Sequence, residues 1–173
     1  MNVLNRHFNA SGMLELVFRI YVFTFLNIYA LGKLMGGQFY TPENIPEEVF
    51  STPLGIASNF NLAWTFMGRS YGYILFIGLT QLIGAWLLLF NKTKLLGTAI
   101  PLPVMTNIIV FDIFFLDKYG ALASACIYFA MLVSILLCNK KQIWEAIKPL
   151  MASSEPEART LKASIYRNII LVL

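Results

Sequence analysis

The chain has 173 residues, 58% of them apolar and only 13% charged, with a net charge of +4 and a mean hydropathy of +0.67. A soluble domain of this size could not cover its surface with so few charges. The basic residues lie in short flanks beside apolar runs rather than on one polar face, which removes the reason to read nucleic-acid binding into an isoelectric point near 9.1.

In chain order, the first apolar run covers residues 20–32, between Arg19 and Lys33. Arg6 before an apolar run and the small pair Ala30 and Gly32 resemble a secretory signal, but Glu15 and Arg19 fall where its uninterrupted apolar core should be. The expectation is a retained first helix over about residues 13–35. Residues 38–70 follow, with Pro42, Pro46, Pro53 and three glutamates before an apolar, aromatic second part that holds Trp64. This mixture predicts an interfacial helix or re-entrant cap over residues 54–67, the plainer alternative being an ordered loop.

Residues 71–90 carry no charge, residues 95–116 carry only Asp112, and residues 120–138 again carry none. Roughly 20 helical residues at about 1.5 Å each cover the ~30 Å hydrocarbon core of a bilayer. Beyond Asn139, the apolar residues Ile143, Ile147, Leu150 and Met151 recur at helical spacing opposite Lys140, Lys141, Glu145 and Lys148. Ser154 and Glu157 then have capping-box spacing, with Pro156 in the first turn, predicting a second amphipathic helix with Arg159, Lys162 and Arg167 on its polar side. Apposition to anionic lipid is one reading of this tail and docking of an acidic protein the other. The expected fold is an all-α integral membrane protein. Residues 1–139 form a four-transmembrane-helix bundle (spans 13–35, 71–90, 95–116 and 120–138, external cap 38–70), and residues 140–173 an amphipathic cytoplasmic tail.

With four spans, both termini share a compartment. Arg6, Lys92, Lys94 and the tail cations fall on one side. Only Lys33, Arg69 and Lys118 fall on the other, among Glu43, Glu47, Glu48 and Asp117. The positive-inside rule makes the termini cytoplasmic.

Charges inside a span cost about 2.5–3.5 kcal/mol each at the bilayer centre on insertion scales, so polar residues in the spans are the functional candidates. Glu15 and Arg19 are four apart on one helix face, which suits a local ion pair with a snorkelling guanidinium. Lys33 and Asp112 reach matched depth near the outer face, and an interhelical pair is expected there. Asn27, Gln81, Thr106, Asn107 and Tyr128 fall near the midplane, with every helix contributing. They serve either as hydrogen-bonding glue, at roughly 0.6–2 kcal/mol each, or as a small polar pocket for a headgroup or a quinone-like ring. Pro101 and Pro103 favour the pocket by freeing carbonyls in the third span, although kinking alone also accounts for them.

Catalytic signatures are lacking. His7 is the one histidine, no metal-ligand cluster or nucleophile motif occurs, and Cys126 and Cys138, twelve residues apart on one helix, are too distant to pair. Inert buried thiols are expected, with no cofactor held by the chain alone and no metal.

The segments Phe18-Arg19-Ile20 and Leu31-Gly32-Lys33-Leu34, the block from Gly78 to Phe90 and the following Lys92-Thr93-Lys94-Leu95-Leu96-Gly97 together resemble the DoxX-like small membrane proteins of bacteria. The block Phe66-Met67-Gly68-Arg69-Ser70, through Asp112 to Asp117-Lys118, looks most like a Bacteroidota-type branch. The resemblance covers about residues 18–137. Gln81 stands where that family often has a glutamate, and its histidine-bearing variants have no counterpart. The resemblance implies a four-helix bundle in the bacterial inner membrane that binds a quinone or lipid and anchors a redox partner. A noncatalytic assembly protein, working through the external cap or the cytoplasmic tail, is the alternative. A small-molecule carrier comes third, since only the third span looks breakable.

Overall fold

The structure is a computed structural model and describes residues 10–116 and 119–151. The expected helix from Pro156 and the flanking residues Arg6, His7, Asp117 and Lys118 lie outside the described residues. The chain divides into two compact units, one ending at Asn139 and one starting at Lys140. Eight α-helices are described: α1 (Ala10–Leu34), α2 (Glu47–Phe50), α3 (Asn59–Gly68), α4 (Tyr71–Leu89), α5 (Lys94–Ala99), α6 (Pro101–Phe115), α7 (Tyr119–Cys138) and α8 (Lys140–Met151). There is no β-strand among the described residues.

Four helical stretches are long and apolar enough to cross a membrane: Ser11–Leu34, Tyr71–Leu89, Lys94–Phe115 and Tyr119–Cys138. Each hides only a narrow stripe. On α1 the buried residues are Glu15, Arg19, Val22, Leu26, Ala30 and Lys33, which recur at three- and four-residue intervals and so share one face. On α7 they are Ala125, Tyr128, Leu132 and Ile135. The opposite faces stay apolar: Leu16, Ile20, Ile28, Phe76, Ile83, Trp86, Ile113 and Phe114 are all exposed. Such a continuous apolar exterior would aggregate in water and is stable against lipid.

α1 packs on α4 and α7, and α6 bridges α7 and α4, which closes a four-membered ring. Its core joins Val22 and Leu26 to Ala85, Leu88, Met105, Tyr128, Leu132 and Ile135. One very close backbone contact is at the α4–α5 turn. A Cβ on Gly97 would run into the backbone of Leu88 and Leu87, and would stand 2.9 Å from the Gly84 carbonyl oxygen. Only a residue without a side chain admits this approach, as is usual where helices pack in lipid. The third apolar stretch is interrupted at Ile100, because Pro101 and Pro103 lack the N–H groups that would bond back to the Gly97 and Ala99 carbonyls.

The segment between α1 and α4 folds as a cap. Its helix begins at Asn59, not near Leu54 as the composition suggests. Pro53 opens a separate 3₁₀ turn over Leu54–Ile56, and the Ser58 hydroxyl accepts from the Asn61 N–H at 3.2 Å to start α3. Gly68 closes α3 against the Tyr40 backbone, where no Cβ would fit. By itself, α8 is amphipathic, with Trp144, Ile147, Leu150 and Met151 exposed and Lys140, Lys141 and Lys148 as its cations.

The expected Glu15–Arg19 pair forms at 3.6 Å, but the guanidinium does not snorkel. Arg19 is 4% exposed and turns inward to the C-terminus of α4. Its Nε donates to the Leu88 carbonyl at 2.5 Å, Nη2 to Leu89 at 2.6 Å and Nη1 to Asn91 Oδ1 at 2.7 Å, while the Thr93 hydroxyl donates to Leu87 at 2.8 Å. Three carbonyls left open by the helix end are thereby satisfied, and a cation sits at the negative end of the helix dipole. Glu15 in turn accepts from Lys94 Nζ at 2.8 Å and from Asn139 Nδ2 at 2.9 Å. One end of the bundle is tied across α1, α4, α5 and the end of α7.

Two outcomes follow for thermal unfolding in mild detergent. Gly97→Ala destabilises by about 1–3 kcal/mol through overpacking, whereas Gly120→Ala, whose Cβ meets nothing within 4 Å, leaves the midpoint unchanged or higher. Arg19→Met costs about 3–5 kcal/mol because Glu15 and two carbonyls lose a buried partner, and Arg19→Lys recovers only part, a point charge being unable to span two carbonyls and an amide.

Candidate functional site

At the other end of the bundle the helices part. α5 is in backbone contact with α4 and Pro101 still packs against Gly84, but further along α6 a cavity of about 880 Å³ opens between the helices. That volume lies within the range of ligand pockets, which run from about 300 to 1,000 Å³. α1 supplies Leu26, Tyr29 and Lys33, and α4 supplies Tyr73, Phe76, Ile77, Thr80 and Gln81. α6 adds Pro103, Val104, Asn107, Ile108, Phe111 and Asp112; α7 adds Ala121, Ala125 and Tyr128. The cap reaches in with Phe60, Trp64 and Met67 from α3, together with Phe39. Phe39, Met67 and Ile74 form a small buried cluster there, packed by Trp64, Ile77 and Phe111. Phe39 and Trp64 meet edge to face at 5.6 Å, and Phe60 stacks on Trp64 at 4.3 Å.

The polar lining is sparse, and each member has a different status. Gln81 is 1% exposed, and among the described residues its Oε1 has no hydrogen-bond partner. A buried amide oxygen in that state costs about 1–3 kcal/mol unless something donates to it. Tyr128 is held by rings of α1, with centroids 6.1 Å from Tyr21, 5.4 Å from Phe25 and 6.1 Å from Tyr29. Asn107 lines the cavity from α6.

The remaining two midplane residues do not reach the cavity. Asn27 Nδ2 donates to the Phe23 carbonyl at 2.7 Å and the Thr106 hydroxyl to Leu102 at 3.0 Å, each one turn back in its own helix. Of the five, Gln81, Asn107 and Tyr128 converge, while Asn27 and Thr106 are satisfied locally.

Lys33 and Asp112 line the same cavity at 4% and 5% exposure. The two charges are near enough to act on each other, as the expected pairing requires, but no ion pair within 4.0 Å joins them. Lys33 Nζ donates to the Tyr29 carbonyl at 3.5 Å and lies 5.5 Å from the Tyr29 ring centroid. Both thiols differ from expectation: Cys126 and Cys138 are free and exposed on the outer side of α7. Among the described residues no group of three or more His, Cys, Asp or Glu could hold a metal ion. Phe39 carries no local sequence signal for its place in the cavity. Trp64 does, as an aromatic among apolar residues in the cap, although its composition suggests a headgroup anchor rather than a cavity wall.

No protein-family model matches the chain, and no solved structure matches it. Among curated proteins it is similar to the uncharacterised protein YwoB of Bacillus subtilis, with 34% identity over 116 residues, or 64% of this chain and 70% of YwoB. At that identity, over more than two thirds of the relative, the shared stretch is long enough to carry a common architecture, and the chain belongs to the family of YwoB.

Proposed function

We propose that this protein is a four-span bundle of the bacterial inner membrane that holds an amphipathic ligand, a quinone or a lipid, in the cavity between α1, α4, α6 and α7. The observation that carries the reading is the cavity itself: about 880 Å³, walled by aromatic and aliphatic side chains, with Gln81 offering an unpartnered acceptor at its buried side. Lining residues such as Phe76 are also exposed on the outside of the bundle, which gives an apolar tail a way out sideways. In this reading the termini and the Arg19 cluster are cytoplasmic, and the cap and cavity face outward, as the distribution of Lys and Arg favours. The DoxX-like resemblance extends the proposal to a membrane subunit that anchors a redox partner. The exposed apolar face of α8, flanked by Lys140, Lys141 and Lys148, supports a second reading in which the same bundle is a noncatalytic assembly protein docked through its tail.

For the ligand, solvent extraction of protein purified in mild detergent yields a stoichiometric lipid or quinone. Gln81→Leu weakens its retention about tenfold, the equivalent of one buried hydrogen bond, and Ala125→Phe, which fills the cavity, abolishes it while the protein stays folded. Recovery of no amphiphile, together with no thermal shift on adding one, would reject the reading. For the orientation, single cysteines are introduced after Cys126 and Cys138 have been replaced by Ser. Ser51→Cys then reacts with a membrane-impermeant maleimide in intact spheroplasts, and Lys92→Cys reacts only after permeabilisation; the opposite pattern inverts the topology.

A further inference from the structure

Lys33 and Asp112 are opposite charges on different helices, both more than nine-tenths buried and both lining one cavity. Among the described residues, neither has an opposite charge within 4.0 Å. Removing an ion from water costs several kcal/mol unless a partner compensates, and two charges held apart compensate each other only in part. The separation is a constraint on what fills the space: an occupant that is anionic on the Lys33 side and cationic on the Asp112 side satisfies both.

From this geometry we propose, resting on the ligand-binding reading above, that the occupant is a zwitterionic phospholipid of the phosphoethanolamine class. Its phosphate meets the Lys33 ammonium and its own ammonium meets the Asp112 carboxylate. A quinone is neutral and answers neither charge. A purely anionic headgroup answers Lys33 but sets negative charge beside Asp112. The walls agree with a cationic group as well as with a tail. Tyr29, already 5.5 Å from one ammonium, shares the cavity with Phe39 and Trp64, and aromatic faces of this kind stabilise a desolvated ammonium. The charges stand at the end of the cavity near the cap, since Lys33 is in the last turn of α1 and Asp112 in the last turn of α6. Phe76 and Pro103 line the cavity and are exposed outside it, so acyl chains leave between α4 and α6 into the surrounding lipid.

Native mass spectrometry of the full chain tests this, with equimolar dioleoyl phosphatidylethanolamine and phosphatidylglycerol supplied in detergent. The wild type retains the ethanolamine lipid about tenfold over the glycerol lipid, the scale of one buried charge contact. Asp112→Asn brings the two lipids to near parity by weakening only the first, and Lys33→Gln weakens both. Soluble glycerophosphoethanolamine at the same concentration leaves the bound lipid in place; displacement by it would overturn the assignment to a lipid. Equal retention of the two lipids by the wild type, or a preference for the glycerol lipid, overturns the zwitterionic assignment. The wild-type competition decides this even if a variant does not fold. Retention of a quinone in place of either lipid defeats this inference and leaves the cavity reading standing, whereas retention of no amphiphile defeats both.

Discussion

The contact on which the bundle depends is the Arg19 guanidinium against the C-terminal carbonyls of α4. A helix end in an apolar environment leaves carbonyls that lipid cannot satisfy, and the fold must supply donors from elsewhere. Arg19 supplies a planar fork that reaches Leu88, Leu89 and Asn91 together, with Thr93 covering Leu87. Placing a cation there requires an anion nearby, and Glu15 fills that role one turn earlier on α1. Because Glu15 also takes donors from Lys94 and Asn139, the register of α1 against α4, α5 and α7 is fixed at one level.

That closed end explains why the other end can open. With Gly97 pressed onto the backbone of α4, the third apolar stretch starts in close contact. The interruption at Ile100, next to two prolines, then lets α6 take a different line, and the space it leaves is the cavity. Polar groups divide accordingly. Among the described residues, each buried side-chain donor and acceptor in the closed end has a protein partner. In the open end Gln81 Oε1 has none, and Lys33 and Asp112 stand apart. A buried acceptor without a partner, near two buried charges with no ion-pair contact, is the kind of polar lining to which a polar-headed ligand could bind.

Several features were legible in the chain. Apolar runs, two of them of about bilayer length and free of charge, located the four long helices to within a few residues. The three- and four-residue spacing of Glu15, Arg19, Val22, Leu26, Ala30 and Lys33 is visible as one face of α1. Other features were not. Glu15 and Arg19 are four apart and read as a local pair, but their main partners lie 69 to 124 residues away, and sequence spacing says nothing about such contacts. Lys94 looked like an orienting loop charge and is also an ion-pair partner. Asn27 and Gln81 looked equivalent at the midplane. One bonds to its own helix and the other faces a cavity, a difference set by rotation about each helix axis in the packed bundle.

Hydropathy, charge placement and helical periodicity by themselves determined that this chain forms four long apolar helices with polar groups embedded in them, because the cost of moving charge and backbone into an apolar medium acts locally, residue by residue. Only the tertiary structure decided which of those polar groups are satisfied and which are left open, because satisfaction depends on what neighbouring helices bring to the same depth. It made Arg19 a cap for a helix remote in sequence, left Lys33 and Asp112 unjoined across a common cavity, and turned a proline pair into the point where that cavity begins.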